Sequence, residues 1–129
     1  MILALRTDKP EAELYLFDSS GNKLDEIVWA AHRQLSETIH KQIEALLERN
    51  GANLKSLQSL LFYEGPGSYT GLRIGASVVN ALAQGLDLNT SQSGGDDWLQ
   101  ESLNKLRQDP VHTVVPVYGA PALTTKPKK

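Results

Sequence analysis

Gly65-Pro66-Gly67-Ser68-Tyr69-Thr70-Gly71-Leu72-Arg73-Ile74-Gly75 joins a strand-like run to a helix-like one, and its reading decides the fold. Upstream, Leu57 and then Leu60, Leu61, Phe62 and Tyr63 form the apolar run of a buried strand. Downstream, a helix is predicted from near Thr70 to Gly85 or Leu86. Its Leu72, Ile74, Ala76, Val78, Val79, Ala81, Leu82 and Ala83 wrap nearly the whole circumference. Glycine permits positive φ and close backbone approach, and the amides at a helix start attract anions, so the run has two readings. One is a structural turn built from Gly65, Pro66, Gly67, Ser68 and Gly71; the other is a phosphate site. The spacing favours the turn, because a Walker loop needs Lys and then Ser or Thr after its last glycine, whereas Leu72-Arg73 follow Gly71. Ser68 lacks the flanks of a nucleophile elbow, and no histidine is placed by sequence to serve as its base.

Working outward, Ile2 to Leu5 read as a first strand, and Glu11 to Phe17, a turn at Asp18 to Asn22, and Leu24, Ile27, Val28 and Trp29 read as a hairpin. Three adjacent strands result. From Arg33 the period becomes helical: Leu35, Ile39, Ile43, Leu46 and Leu47 share one face, Glu37, Lys41, Glu44 and Glu48 the other, and Asn50-Gly51 end the helix. After the first 88 residues the composition turns polar, and residues 89–95 read as a linker. Residues 96–123 hold a shorter third helix with Trp98, Leu99, Leu103 and Leu106, capped by Asp96-Asp97 and ended by Asp109-Pro110. His112 to Val117 alternate weakly, in the manner of a returning last strand, and residues 124–129 form a basic tail that is ordinarily solvated.

The 129 residues are 40% hydrophobic and 22% charged with a formal net charge of -2, which fits one globular domain and excludes bulk disorder or a polycation. The absence of cysteine excludes a disulfide scaffold, a thiolate metal site and a cysteine nucleophile, and a reducing cytoplasm is expected. Met1 to Leu5 stop at Arg6, too short for a signal sequence or a membrane span. His32, His40 and His112 match no metal-ligand spacing, so neither metal nor other cofactor is expected. Two helices on one side of a five-strand sheet would leave apolar surface bare, and Gly71 and Gly75, four apart, would let a neighbouring helix approach. The second helix is therefore expected to be an intermolecular surface.

The string GPGSYTGLRIG closely resembles the signature of the TsaB family, the bacterial partner subunit in making threonylcarbamoyladenosine on tRNA. The opening MILAL, the helix entry Arg33-Gln34-Leu35-Ser36-Glu37, the stretch from Leu46-Leu47 to Leu57, and Val117-Tyr118 look like the same family. The resemblance implies an α/β fold: a single actin-like, ribonuclease-H-like lobe with a mixed sheet of about five strands, two long helices and a shorter third. It covers the first lobe, residues 1–88, better than the remainder. Where the family follows its first strand with Asp-Thr-Ser, this chain has Arg6, Thr7 and Asp8. Where the catalytic sister family TsaD carries a metal-binding histidine pair, this chain has Leu35 and Ile39.

The resemblance thus implies a non-catalytic scaffold in the cytoplasm, off the membrane, that docks a TsaD-like catalytic subunit and meets tRNA only indirectly. Ile39, Ile43, Leu72, Gly75, Val79 and Leu82 are the expected docking surface. A TsaE-like ATPase subunit is an optional third component, and a homodimer is expected when the chain is alone. The competing readings are a small nucleotide-binding enzyme of the sugar-kinase and actin-like superfamily, and a stand-alone homodimer that has lost partner binding.

Overall fold

Ile2–Arg6 (β1) is the central strand, and Ile2, Leu3, Ala4 and Leu5 are buried because it is paired on both edges. The computed structural model describes residues 1–117. β1 runs antiparallel to Glu11–Phe17 (β2), with Ile2 opposite Phe17 and Arg6 opposite Glu13. β2 in turn pairs antiparallel with Lys23–Ala30 (β3). Between them the Asp18 carboxylate accepts from the backbone N–H groups of Ser20 and Asn22, each at 2.9 Å, which fixes the hairpin turn. On the other edge of β1, Ser59–Tyr63 (β4) is parallel to it, and Asn89–Ser93 (β5) is parallel to β4, giving the order β3-β2-β1-β4-β5.

The pleat sorts side chains between two faces. Leu3, Leu5, Leu14, Leu16, Leu60 and Phe62, all fully buried, meet Leu35–Arg49 (α1) and Tyr69–Leu86 (α2). On the opposite face Trp98, at the head of Trp98–Gln108 (α3), packs edge-on against Tyr15 and Tyr63 with ring centroids 6.1 and 5.6 Å away. Farther along α3, Arg107 donates to the Ser20 carbonyl at 2.7 Å, so the helix reaches the β2–β3 turn. The sheet is therefore covered on both faces, in three layers, and the bare face expected from two helices alone is occupied by α3. Among the described residues no helix is long and apolar enough to cross a membrane.

Three sequence expectations are corrected here. Residues 89–95 are not a linker, since Asn89–Ser93 is β5 with Thr90, Ser91 and Ser93 buried. Two of its three buried hydroxyls have tertiary partners, Thr90 donating to the Val111 carbonyl at 2.8 Å and Ser93 to the Glu101 carboxylate at 2.7 Å, while the Ser91 hydroxyl has none among the described residues. His112 to Val117 form no strand; among the described residues the backbone pairing at this edge of β5 is an isolated antiparallel bridge between Thr90 and Val111. Asp97 does precede α3, but its side chain makes no capping bond, and its carbonyl alone enters the helix ladder, accepting from Glu101. The basic tail, residues 124–129, lies outside the described residues.

Candidate functional site

The carboxyl ends of the parallel strands β1 and β4 meet the start of α2, the position at which open α/β sheets ordinarily hold ligands. Arg6 ends β1. Its Nε donates to Asp8 Oδ1 at 2.8 Å and its Nη2 to Asp8 Oδ2 at 3.3 Å, and the guanidinium lies 3.9 Å above the Tyr63 ring centroid. Burial works against the guanidinium's charge, but the Asp8 hydrogen bond and charge outweigh it and raise the Arg6 pKa above its ordinary value. Asp8, 9% exposed, is thus spent on a cation of its own chain.

Beside this pair, Lys9 bridges to Glu13 at 2.8 Å and the Tyr15 hydroxyl donates to Glu13 at 2.6 Å. Burial tends to raise the Glu13 pKa, yet the Lys9 and Tyr15 hydrogen bonds together with the Lys9 charge bring it below the usual carboxylate range. The Tyr15 phenol is pushed up, first by burial and then by Glu13. The ionisable groups at this end of β1 are mutually neutralised.

The glycine run wraps the exit of β1. Ser68 N–H donates to the Asp8 carbonyl at 3.1 Å, Ser68 Oγ accepts from Gly71 N–H at 3.4 Å as the cap of α2, and Thr7 Oγ1 donates to the Gly71 carbonyl at 2.8 Å. Gly65 has φ +113°, which favours glycine. The other glycines serve close approach: a Cβ on Gly67 would strike Asp8 Cβ, one on Gly71 the Thr7 carbonyl oxygen, and one on Gly75 the Thr7 hydroxyl. Gly71 and Gly75 therefore receive the end of β1 and not a neighbouring helix, as their spacing alone had implied.

Gly67→Val should accordingly destabilise more than Ser68→Ala, but through overpacking against Asp8 and not through backbone angle. We expect about 1–3 kcal/mol for the valine and at most about 1 kcal/mol for the lost cap, read as shifts in denaturant midpoint. Equal midpoints would contradict this geometry.

The five turn residues, Gly65, Pro66, Gly67, Ser68 and Gly71, are thus gathered where the strand-to-helix turn lies. The expected docking residues are placed differently. Ile39, Leu72 and Val79 are 0% exposed and Ile43 1%, Gly75 is buried, and Leu82 is half-buried, so the set packs inward between the helices and the sheet. Helical period identifies residues that share a face, but not whether that face meets sheet or solvent. The outward face carries instead a groove of about 420 Å³ between α1 and α2, lined by Ser36, His40, Tyr69, Thr70, Arg73 and Ser77 together with the apolar Ile74 and Val78. Its sequence signal was present in the polar series Tyr69, Arg73 and Ser77 at fourfold spacing, with Ser36 and His40 likewise four apart on α1.

A second cleft, of about 590 Å³, lies where Thr7, Lys9, His32, Arg33, Ser68 and Thr70 surround the α2 start. The three histidines sit apart on the entry to α1, on α1 itself and beyond α3, and among the described residues no group of three or more His, Cys, Asp or Glu side chains is placed to hold a metal. Leu35 and Ile39, at the positions compared with the TsaD histidines, are buried in the core.

Residues 29–92, from the end of β3 through β5, match the family model of TsaD, described as tRNA N6-adenosine threonylcarbamoyltransferase. The chain is 32% identical over 88 residues to the tRNA threonylcarbamoyladenosine biosynthesis protein TsaB of Haemophilus influenzae, a match covering 67% of this chain and 36% of that protein. It is 34% identical over 56 residues to TsaB of Escherichia coli K12, covering 43% of this chain and 24% of the relative. The matched stretches thus span between a quarter and about a third of these curated relatives.

Among solved structures, YeaZ from Pseudomonas aeruginosa superposes with a TM-score of 0.66 at 27% identity, over 72% of this chain and 43% of its own. A crystal structure described as an uncharacterized protein with similarity to peptidase YEAZ from Pseudomonas aeruginosa gives 0.68 at 24% identity, over 84% of this chain and 48% of its own, and supports the fold alone. The five-strand sheet in the order described, the glycine turn against β1 and the actin-like fold shared with YeaZ agree with the two curated relatives, and the chain belongs to the TsaB family.

Proposed function

We propose that this chain is a non-catalytic subunit that docks a TsaD-like catalytic subunit and supports threonylcarbamoyl transfer to tRNA adenosine. The observation that carries the non-catalytic part is Arg6. Where the family resemblance implies a carboxylate facing a nucleotide phosphate, this chain sets a cation, neutralises it with Asp8 and lays it on Tyr63. In this reading the partner holds the metal and substrate, a TsaE-like ATPase joins through the partner, and tRNA is met through the assembly in the cytoplasm. The docking surface is the outward groove of Ser36, His40, Arg73 and Ser77, since the apolar faces of α1 and α2 are consumed by the core.

Reconstituted transfer to tRNA with the TsaD-like subunit of the same cell tests the proposal. The wild-type chain is expected to raise the rate, and Arg6→Asp to leave that stimulation within a few fold. Ser77→Arg, which would bury an unpaired cation in the docked groove, should reduce the stimulation by tenfold or more, because several kcal/mol of desolvation exceeds the surplus of a modest interface. Turnover by this chain alone that vanished on changing one of its residues would overturn the scaffold reading.

A further inference from the structure

Ser91 is 3% exposed, and its Oγ has no hydrogen-bond partner among the described residues. An unpaired buried hydroxyl costs stability, so its surroundings call for an explanation. Alternation along β5 places Ser91 on the side of Ser93, whose hydroxyl meets Glu101 of α3, so Ser91 faces the same helix farther along. There a cleft of about 290 Å³ opens between β5 and the end of α3, lined by Glu64, Ser91, Gln92, Lys105, Asp109 and Val111. That volume suits a small ligand, at the lower limit of ordinary binding pockets.

The charges around the cleft are as unpaired as the hydroxyl. Lys105 in the last turn of α3 and Asp109 at its C-cap stand four residues apart, the spacing of a helical ion pair, yet neither has an ion-pair partner among the described residues. Lys105 Nζ donates to the Gln92 carbonyl at 3.2 Å and keeps two further donors. Glu64 Oε1 accepts from Gln92 Nε2 at 3.0 Å, while its Oε2 carries no bond among the described residues. The Gln92 side chain is itself held on Val115, accepting from the N–H at 2.8 Å and donating to the carbonyl at 2.7 Å, so both of its amide hydrogens are used and it serves to fix Glu64. What the cleft offers is an ammonium and a hydroxyl that donate, two carboxylates that accept, and the side chain of Val111, 41% exposed.

A ligand carrying only an anion would meet two carboxylates, and one carrying only a cation would meet Lys105. A compact ligand with both signs satisfies every group. We propose that this cleft binds a free α-amino acid with a small side chain. Its carboxylate accepts from Lys105 and from Ser91, whose hydroxyl turns to it by rotation about χ1 between staggered positions. Its ammonium donates to Asp109 and Glu64, and its side chain lies against Val111. The site is across the sheet from the groove of α1 and α2, so it does not depend on docking there.

Titration of the isotope-labelled full-length protein with L-alanine, followed through its amide resonances, tests the site. L-Lactate, which lacks the ammonium, and ethylamine, which lacks the carboxylate, are the matched controls. L-Alanine should shift the amides of Ser91, Gln92 and Val111 saturably, with each control at least tenfold weaker. Lys105→Met and Asp109→Asn, both at exposed positions, should stay folded and bind L-alanine at least tenfold more weakly. Ser91→Ala should melt no lower than the wild type without ligand, because it removes an unpaired buried hydroxyl, and should bind severalfold more weakly. Absence of a saturable shift, equal binding of either control, unchanged affinity in any of the three folded variants, or a Ser91→Ala protein melting well below the wild type would each overturn the assignment.

Discussion

Val79→Glu is expected to abolish the folded state, giving a chain without a cooperative thermal transition by circular dichroism. Val79 is 0% exposed on the inner face of α2. A carboxylate placed there has two routes, and both are costly. Ionised, it is an unpaired charge in apolar surroundings, worth several kcal/mol; neutralised, it must take up a proton at a pH nearly three units above the ordinary glutamate pKa of about 4.3, which costs roughly 3.7 kcal/mol at neutral pH. Either figure, added to the packing lost with the valine in a core without room to adjust, takes a large part of the ~5–15 kcal/mol that ordinarily separates folded from unfolded domains. The exposed Ser77, two residues earlier on the same helix, supplies the contrast: Ser77→Arg should melt within about 0.5 kcal/mol of wild type. A Val79→Glu protein with wild-type melting would show that the inner and outer faces of α2 had been exchanged.

Gly71→Ala is expected to destabilise by about 2–3 kcal/mol, because its methyl would enter the Thr7 carbonyl oxygen and backbone at the end of β1 yields poorly. Gly75→Ala should behave similarly, with the Thr7 hydroxyl in contact and the Phe62 ring at 3.0 Å from the new carbon. Gly85→Ala, in the same helix with nothing within 4 Å, should have the opposite sign, stabilising by up to about 0.5–1 kcal/mol through helix propensity. Denaturant midpoints of the three variants check the account. A stabilising Gly71→Ala would mean that α2 and the end of β1 are not packed as described.

The same positions mark how much was legible in the sequence. Continuous apolar residues in β1, alternation across the β2–β3 turn and the single stripe of α1 are local patterns, and each read correctly. β5 did not, because Asn-Thr-Ser-Gln-Ser carries no apolar signal, and its burial depends on the Val111 carbonyl and the Glu101 carboxylate, which only the fold brings to it. The glycine run was legible as a turn. What Gly71 and Gly75 abut was not, since the end of β1 is more than sixty residues away in the chain. Arg6 stood out as a departure from its family, but its pairing with Asp8 over Tyr63 requires β1 beside β4. The docking residues were misplaced for a related reason. An α2 apolar nearly all round was read as surplus surface, whereas β1, β4 and α1 cover its inner part and the polar stripe of Tyr69, Arg73 and Ser77 faces out.

In the proposed function, the outward groove of α1 and α2 docks a TsaD-like subunit while their inner faces hold the fold together. Light scattering of this chain mixed with the TsaD-like subunit of the same cell, after size-exclusion chromatography, tests it most directly. The account predicts a stable particle with the summed mass of both proteins for the wild type, and separate peaks for folded Ser77→Arg and for folded His40→Glu. Separate peaks for the wild type, or an undiminished complex with both folded variants, would contradict it.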